Sequence, residues 1–249
     1  MTKRLNFIAL SFLFFFSRCT SVYMPGVPNT PMLSSQGEFA AGAHISLKGD
    51  FNLNSAYAMG NHFGILTNGS YMYNEANKKD VKHKMIELGF GYFNSFGPDE
   101  NRLIEIYGGF GAGKSEQLFR ERDAGGDWQP HELRKANYDK KFIQVNYSSK
   151  KKNKVTLFGR DFGLNYGTAL RVSFLSTDHL TVNSLRLPNE DNIFLEPVFF
   201  TRMTLSDAVQ LQYSTGSNFG LKSRKYLNAG HSVFSVGAVI NLGGRLKKP

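Results

Sequence analysis

With 249 residues, one cysteine and a net charge of +10, the chain has room for a sizeable single domain but cannot form an intramolecular disulfide. Aromatic residues make up 14% and there are 25 glycines, which excludes a disulfide-stapled secreted module and suits curved antiparallel sheet. The basic balance would fit nucleic acid in a cytoplasmic protein, but the first residues argue for export, so no nucleic-acid partner is expected.

Lys3 and Arg4 precede the apolar run 5–16, which gives way to Ser17, Arg18 and Cys19. A basic start and a short apolar stretch read as a secretory signal over 1–18, too short to span a bilayer as a helix. Loss of Lys3, Arg4 and Arg18 would leave a net charge of +7. Cys19 stands where the lipidated cysteine of a bacterial lipoprotein would lie, although Arg18 occupies a site normally held by a small residue. Ordinary cleavage nearby is the alternative. Residues 19–35, with Pro25, Pro28 and Pro31, read as an extended periplasmic tether ahead of a barrel over 36–245.

From there apolar and polar residues alternate in about ten stretches: 36–47, 51–59, 62–74, 83–96, 102–116, 141–150, 154–176, 192–204, 208–217 and 232–243. In Met85-Ile86-Glu87-Leu88-Gly89-Phe90-Gly91-Tyr92 and in Phe234-Ser235-Val236-Gly237-Ala238-Val239-Ile240 one face is apolar throughout. Period two places successive side chains on opposite faces of a sheet. The connections at 60–61, 97–101, 151–153 and 205–207 are short and rich in turn formers. Those at 75–82, 117–140, 177–191 and 218–231 are mostly longer. One clipped rim and one elaborated rim describe an outer-membrane barrel, all-β and antiparallel, with both termini periplasmic. Ten strands fit best, with eight or twelve as alternatives because 154–176 is long for one crossing.

Glu87, Glu105, Arg160, Arg171, Glu196 and Arg202 fall inside the predicted strands and would face a polar lumen. Tyr92, Phe93, Phe96, Phe199, Phe200 and Phe219 fall near strand ends, where an aromatic girdle would lie. Arg134, Lys135, Lys222, Arg224 and Lys225 fall in the long connections and are candidates for binding anionic surface lipid or polysaccharide.

Gly108-Gly109-Phe110-Gly111-Ala112-Gly113-Lys114-Ser115 matches a phosphate-binding loop pattern. That chemistry needs a helix directly after the glycines, yet charged residues and Gly125-Gly126 follow, so the segment reads as strand. The six histidines lack metal-ligand spacing, and no cofactor is expected. His179 beside Asp178, with His231, could build a rim hydrolase only if they converge in space.

The chain resembles a family of small outer-membrane barrel proteins from Bacteroidetes. The likeness lies in the lipobox-like Cys19, Tyr23-Met24-Pro25, Asn29-Thr30-Pro31-Met32-Leu33, Gly37-Glu38-Phe39, Ser55-Ala56-Tyr57, Asn61-His62-Phe63-Gly64 and Phe194-Leu195-Glu196-Pro197. The resemblance implies architecture and location, with no assigned activity. The expectation is a non-enzymatic barrel with a narrow or plugged lumen; a small-solute pore and a surface hydrolase are the alternatives.

Overall fold

The computed structural model describes residues 21–157, 159–228 and 232–243. Cys19, the segment before it and His231 lie outside the described residues. Among the described residues twelve strands follow one another: β1 (Phe39–Ser46), β2 (Asp50–Ala58), β3 (Phe63–Ala76), β4 (Lys79–Phe96), β5 (Arg102–Arg122), β6 (Trp128–Leu157), β7 (Arg160–Val182), β8 (Leu185–Arg186), β9 (Asp191–Thr204), β10 (Val209–Gly216), β11 (Phe219–Gly220) and β12 (Val233–Leu242). Ten of them close an antiparallel barrel. β1 through β7 pair in chain order, β7 pairs with β9, β9 with β10, β10 with β12, and β12 returns to β1. β8 and β11 are two-residue additions at one rim, on β7 and β9.

Period two becomes inside and outside. On β4, Ile86, Leu88, Phe90 and Tyr92 are exposed, while Met85 and Glu87, of the opposite parity, are buried. On β12, Phe234, Val236, Ile240 and Leu242 face outward while Ser235 and Val239 face in. An apolar outside around a polar inside is the reverse of a soluble barrel and the pattern of a transmembrane one. Alternation also splits the expected aromatic girdle. Tyr92, Phe96, Phe199 and Phe219 are exposed, but Phe93 and Phe200 are buried in the lumen.

The strands overrun their sequence limits where both faces turn polar. The expected loop over 117–140 is strand on both sides of a tight turn at 123–127, because β5 and β6 stay paired from Arg102 and Ser149 up to Arg122 and Trp128. The Asp123 carboxylate accepts the Gly125 and Asp127 amides and closes that turn. The expected turn at 151–153 is instead a register shift between Ser149 and Asn153, and β6 runs on to Leu157. A two-residue hairpin joins β7 to β8 through Asn183 and Ser184, at φ 49° and 68°. That is the backbone of a type I′ turn, which matches the strand twist.

The glycine-rich 108–115 segment is the middle of β5. Gly109, Gly111 and Gly113 share the lumen face with Glu105 and Tyr107, and each makes room for a larger neighbour. A Cβ at Gly113 would lie 2.2 Å from the Tyr138 ring, and one at Gly111 2.5 Å from the Ile86 carbonyl oxygen. Gly113→Ala is therefore expected to cost about 1–3 kcal/mol by overpacking. Lys114→Ala, which would abolish binding in a true phosphate loop, should change stability by less than about 0.5 kcal/mol. Denaturant unfolding in micelles checks both. A tolerated alanine at 113 would contradict the strand assignment.

Candidate functional site

Residues 21–35 are extended, as the three prolines require, but they do not precede the barrel as a periplasmic tether. They run through its lumen. Ser21, Val22, Tyr23, Val27, Asn29, Thr30, Met32 and Leu33 are all buried. Near one rim, the Val22 amide donates to the Tyr226 carbonyl at 2.9 Å and Gln117 donates to the Ser21 carbonyl at 2.7 Å. Near the other, Gln36 donates to the Met59 carbonyl, and the Glu38 carboxylate accepts the Ser34 amide and hydroxyl as the chain turns into β1. Thirteen extended residues reach at most about 45 Å, enough to cross a hydrocarbon core of about 30 Å.

The first rim is the one with the elaborated connections, and the second carries the short turns. The first and last barrel strands, at Phe39 and Leu242, do share the short-turn rim. The described chain nevertheless begins at the opposite rim, so its two ends do not lie together.

An extended peptide inside a barrel needs partners for its backbone groups. Prolines at 25, 28 and 31 remove three donors and keep the segment from joining the sheet as another strand. Lumen side chains meet much of the rest. Asn52 Oδ1 accepts the Val27 amide at 3.2 Å, and Asn54 donates to the Val27 carbonyl. Gln144 and Asn146 both donate to the Asn29 carbonyl, at 2.6 and 3.2 Å. Glu105 accepts the Leu33 amide at 3.2 Å, and Arg202 donates to the Thr30 carbonyl and hydroxyl.

Two apolar anchors fix the ends of the segment. Tyr23 packs among Met85, Tyr138, Leu175 and Phe194, edge-on to Tyr138 with ring centroids 5.7 Å apart. Leu33 sits among Ala40, Ala56, Ala58, Leu66 and Phe93, where small wall residues leave a socket. Between them Met32 adopts φ 61°, a conformation costly for a non-glycine residue, while its side chain packs with Leu103 and Phe200. The gaps left beside the segment are small. One, beside Met24, Asp50 and His83, measures about 20 Å³ and another, beside Thr30, His44 and Arg202, about 10 Å³. Such volumes hold about one or two waters.

The buried charges balance. Glu87, Glu105 and Glu196 face Lys140, Arg171 and Arg202, all within the lumen. Glu87 accepts from Lys140 at 2.8 Å, Arg171 at 3.0 Å and Asn68 at 2.7 Å. Lys140 also donates to the Tyr23 hydroxyl at 2.7 Å, and that hydroxyl donates to Glu196 at 2.5 Å. The segment is thus tied into the charge network rather than merely enclosed by it. Of the six expected lumen charges, five lie here. Arg160 does not: it is exposed at the start of β7, in register with Leu157. Lys140 stands one residue before the strand expected over 141–150 and so carries no lumen signal there, although it shares parity with Gln144 and Asn146 on β6.

The basic residues expected in anion-binding loops are mostly taken. Arg134 pairs with Glu132 and lies over the Phe119 and Tyr226 rings. Lys135 lies 3.4 Å from Glu116, and Lys225 sits over the Tyr226 ring. Lys222 and Arg224 converge on Asp191 and hold its carboxyl below the usual carboxylate range. Arg120, bound to Asp80 at 2.5 Å, does the same to that carboxyl against a smaller opposing effect of burial. His179 and Asp178 are exposed on β7, and neither side chain makes a hydrogen bond or ion pair among the described residues. No group of three or more His, Cys, Asp or Glu side chains fit to hold a metal occurs among the described residues.

No family model matches the chain and no curated protein does, so the Bacteroidetes resemblance rests on its motifs alone. Solved structures to which the chain is similar are outer-membrane barrels. The translocator domain of the autotransporter NalP from Neisseria meningitidis aligns at 13% identity over 84% of this chain and 86% of that one, TM-score 0.45. The attachment invasion locus protein Ail of Yersinia pestis aligns at 12% identity over 83% and 99%, TM-score 0.29. The NanC porin aligns at 10% identity over 84% and 99%, TM-score 0.25.

Proposed function

We propose that this protein is a non-enzymatic outer-membrane barrel whose own N-terminal segment seals the lumen, leaving the elaborated rim to serve at the cell surface in binding or envelope integrity. The observation that carries this reading is the course of residues 21–33 through the lumen, bonded to side chains of β2, β5, β6 and β9. A sealed, charge-balanced interior supports a structural or adhesive role over a small-solute pore. On this reading the elaborated rim faces outward, and the chain enters its barrel from that side. A lipid on Cys19, two residues before Ser21, would then sit at the outer face rather than in the periplasm.

Two measurements test the reading. The full mature chain in planar bilayers should give no resolvable conductance steps; stable steps would sink the sealed-barrel proposal. In intact cells, Ala124→Cys with Cys19→Ser, which puts a thiol in the exposed turn of the elaborated rim, should react with a membrane-impermeant maleimide. Labelling only after the outer membrane is broken would reverse the orientation.

A further inference from the structure

The outer surface of β4–β6 changes character abruptly toward the elaborated rim. Outward residues of β4 run Tyr92, Phe90, Leu88, Ile86 and then Lys84 and Lys82, while those of β5 run Ile106, Phe110, Ala112 and then Lys114 and Glu116. In register, Lys84 lies directly opposite Lys114, with Tyr71 on one side and Asn137 on the other. The next row toward the rim is Tyr73, Lys82, Glu116 and Lys135; the row behind is Ile86, Ala112 and Asp139. Glu116 is engaged by Lys135 at 3.4 Å, and Lys82 lies over the Tyr73 ring at 5.1 Å. The Lys84 and Lys114 side chains make no hydrogen bond or ion pair among the described residues.

Like charges directly opposite on a ladder destabilise it, so this pair has a cost that an anion between the two would remove. The four lysines, Tyr71, Asn137 and the Lys135-paired Glu116 line a depression of about 450 Å³, a size typical of ligand sites. It lies on the outer face of the sheet, next to the apolar row of Ile86 and Ala112.

We propose that Lys84 and Lys114, flanked by the further positive charge of Lys82 and Lys135, bind the phosphorylated headgroup of an outer-leaflet lipid, whose acyl chains lie along Ile86, Leu88 and Phe110. Ammonium groups bind phosphate oxygens through charge-assisted hydrogen bonds, and lysine stems reach along apolar surface to keep their heads at the interface. Asp139 and Asp178 border the adjoining hollow on the apolar side, which sets the phosphate on the rim side of Lys84 and Lys114. The proposal rests on the outward placement of this rim. The assay below is done in micelles and does not depend on that placement, whereas the labelling of Ala124→Cys does, so the two can fail separately.

The test is native mass spectrometry of the full mature protein in a neutral detergent, with diphosphorylated lipid A or the same glycolipid stripped of phosphate as probe. Wild type should retain one copy of the phosphorylated probe and at least tenfold less of the stripped one. K84Q/K114Q should lower retention at least tenfold, K84R/K114R should keep it, and K222Q/R224Q should leave it unchanged. Millimolar inorganic phosphate should fail to displace the lipid. Equal retention of the two probes, or full retention by a folded K84Q/K114Q, overturns the site. Displacement by inorganic phosphate overturns the lipid assignment in favour of free phosphate. If K84Q/K114Q does not fold, the comparison of the two probes on wild type decides.

Discussion

Deleting residues 21–33 from the mature chain should turn a silent barrel into a conducting one. None of these residues belongs to a barrel ladder, so closure of the sheet does not depend on them. What remains is a wall lined by Asn52, Asn54, Asn68, Gln144 and Asn146 and by six charged side chains, which water would hydrate readily. Eight strands leave an interior just filled by side chains, and ten leave more. The deletion also forfeits the burial of Val22, Tyr23, Met32 and Leu33, about 1.5–3 kcal/mol for each large apolar side chain. A lower unfolding midpoint is therefore expected alongside discrete conductance steps in planar bilayers. A deletion variant that is folded by its heat-modifiable gel mobility and yet silent would show that wall side chains alone close the lumen.

The second large effect is at Glu87. Its carboxylate lies 2.8 Å from Lys140 and 3.0 Å from Arg171, all three almost wholly buried. Glu87→Gln removes the shared partner of two cations and leaves them to repel in a medium of low dielectric. Breaking a buried pair in this way costs about 3–5 kcal/mol. Because Lys140 also holds Tyr23 and thereby the lumen segment, part of that loss should appear as intermittent conductance. Glu87→Gln with Arg171→Gln returns the lumen to equal numbers of opposite charges and should recover most of the stability. Guanidinium unfolding in micelles, read as a shift of midpoint at constant slope, measures Glu87→Gln, Arg171→Gln and the double substitution. A single substitution costing under about 1 kcal/mol, or a double costing the sum of its parts, would contradict a coupled network.

Much of this architecture is legible in the sequence. Ten barrel strands, the antiparallel order and the two unequal rims follow from period-two hydropathy and from turn residues. Within the membrane each strand has one apolar face, so the period is visible. Beyond it, Glu116, Gln117, Arg120, Glu121 and Arg122 are polar on both faces of β5 although the ladder continues, and no pattern marks them as strand. That is why the 117–140 hairpin reads as a loop. The same physics hides the lumen segment. A proline-rich stretch without periodicity reads as a linker, and nothing local distinguishes a linker in water from one inside a barrel. The complement was present in the wall, where Asn52, Asn54, Asn68, Gln144 and Asn146 all carry lumen parity. So many inward amides call for hydrogen-bond partners inside the lumen, and the backbone of an extended segment supplies them. Several motifs that carry the family resemblance meet here: Tyr23 bonds Glu196, and Asn29, Thr30 and Leu33 bond the wall.

The threading of residues 21–35 through the lumen can be tested by a disulfide. A Cβ built at Gly26 lies 3.5 Å from Ser70 Cβ on β3, within the span of a disulfide at about 3.5–4.5 Å. With Cys19→Ser to remove the native thiol, the Gly26→Cys/Ser70→Cys protein should oxidise almost completely in folded micelle samples. The intact mass would fall by two hydrogens, a single cross-linked peptide pair would appear after digestion, and the cross-link should lock the barrel silent. If both thiols stay free to alkylation in the folded barrel, the segment lies elsewhere and the sealed-lumen account fails.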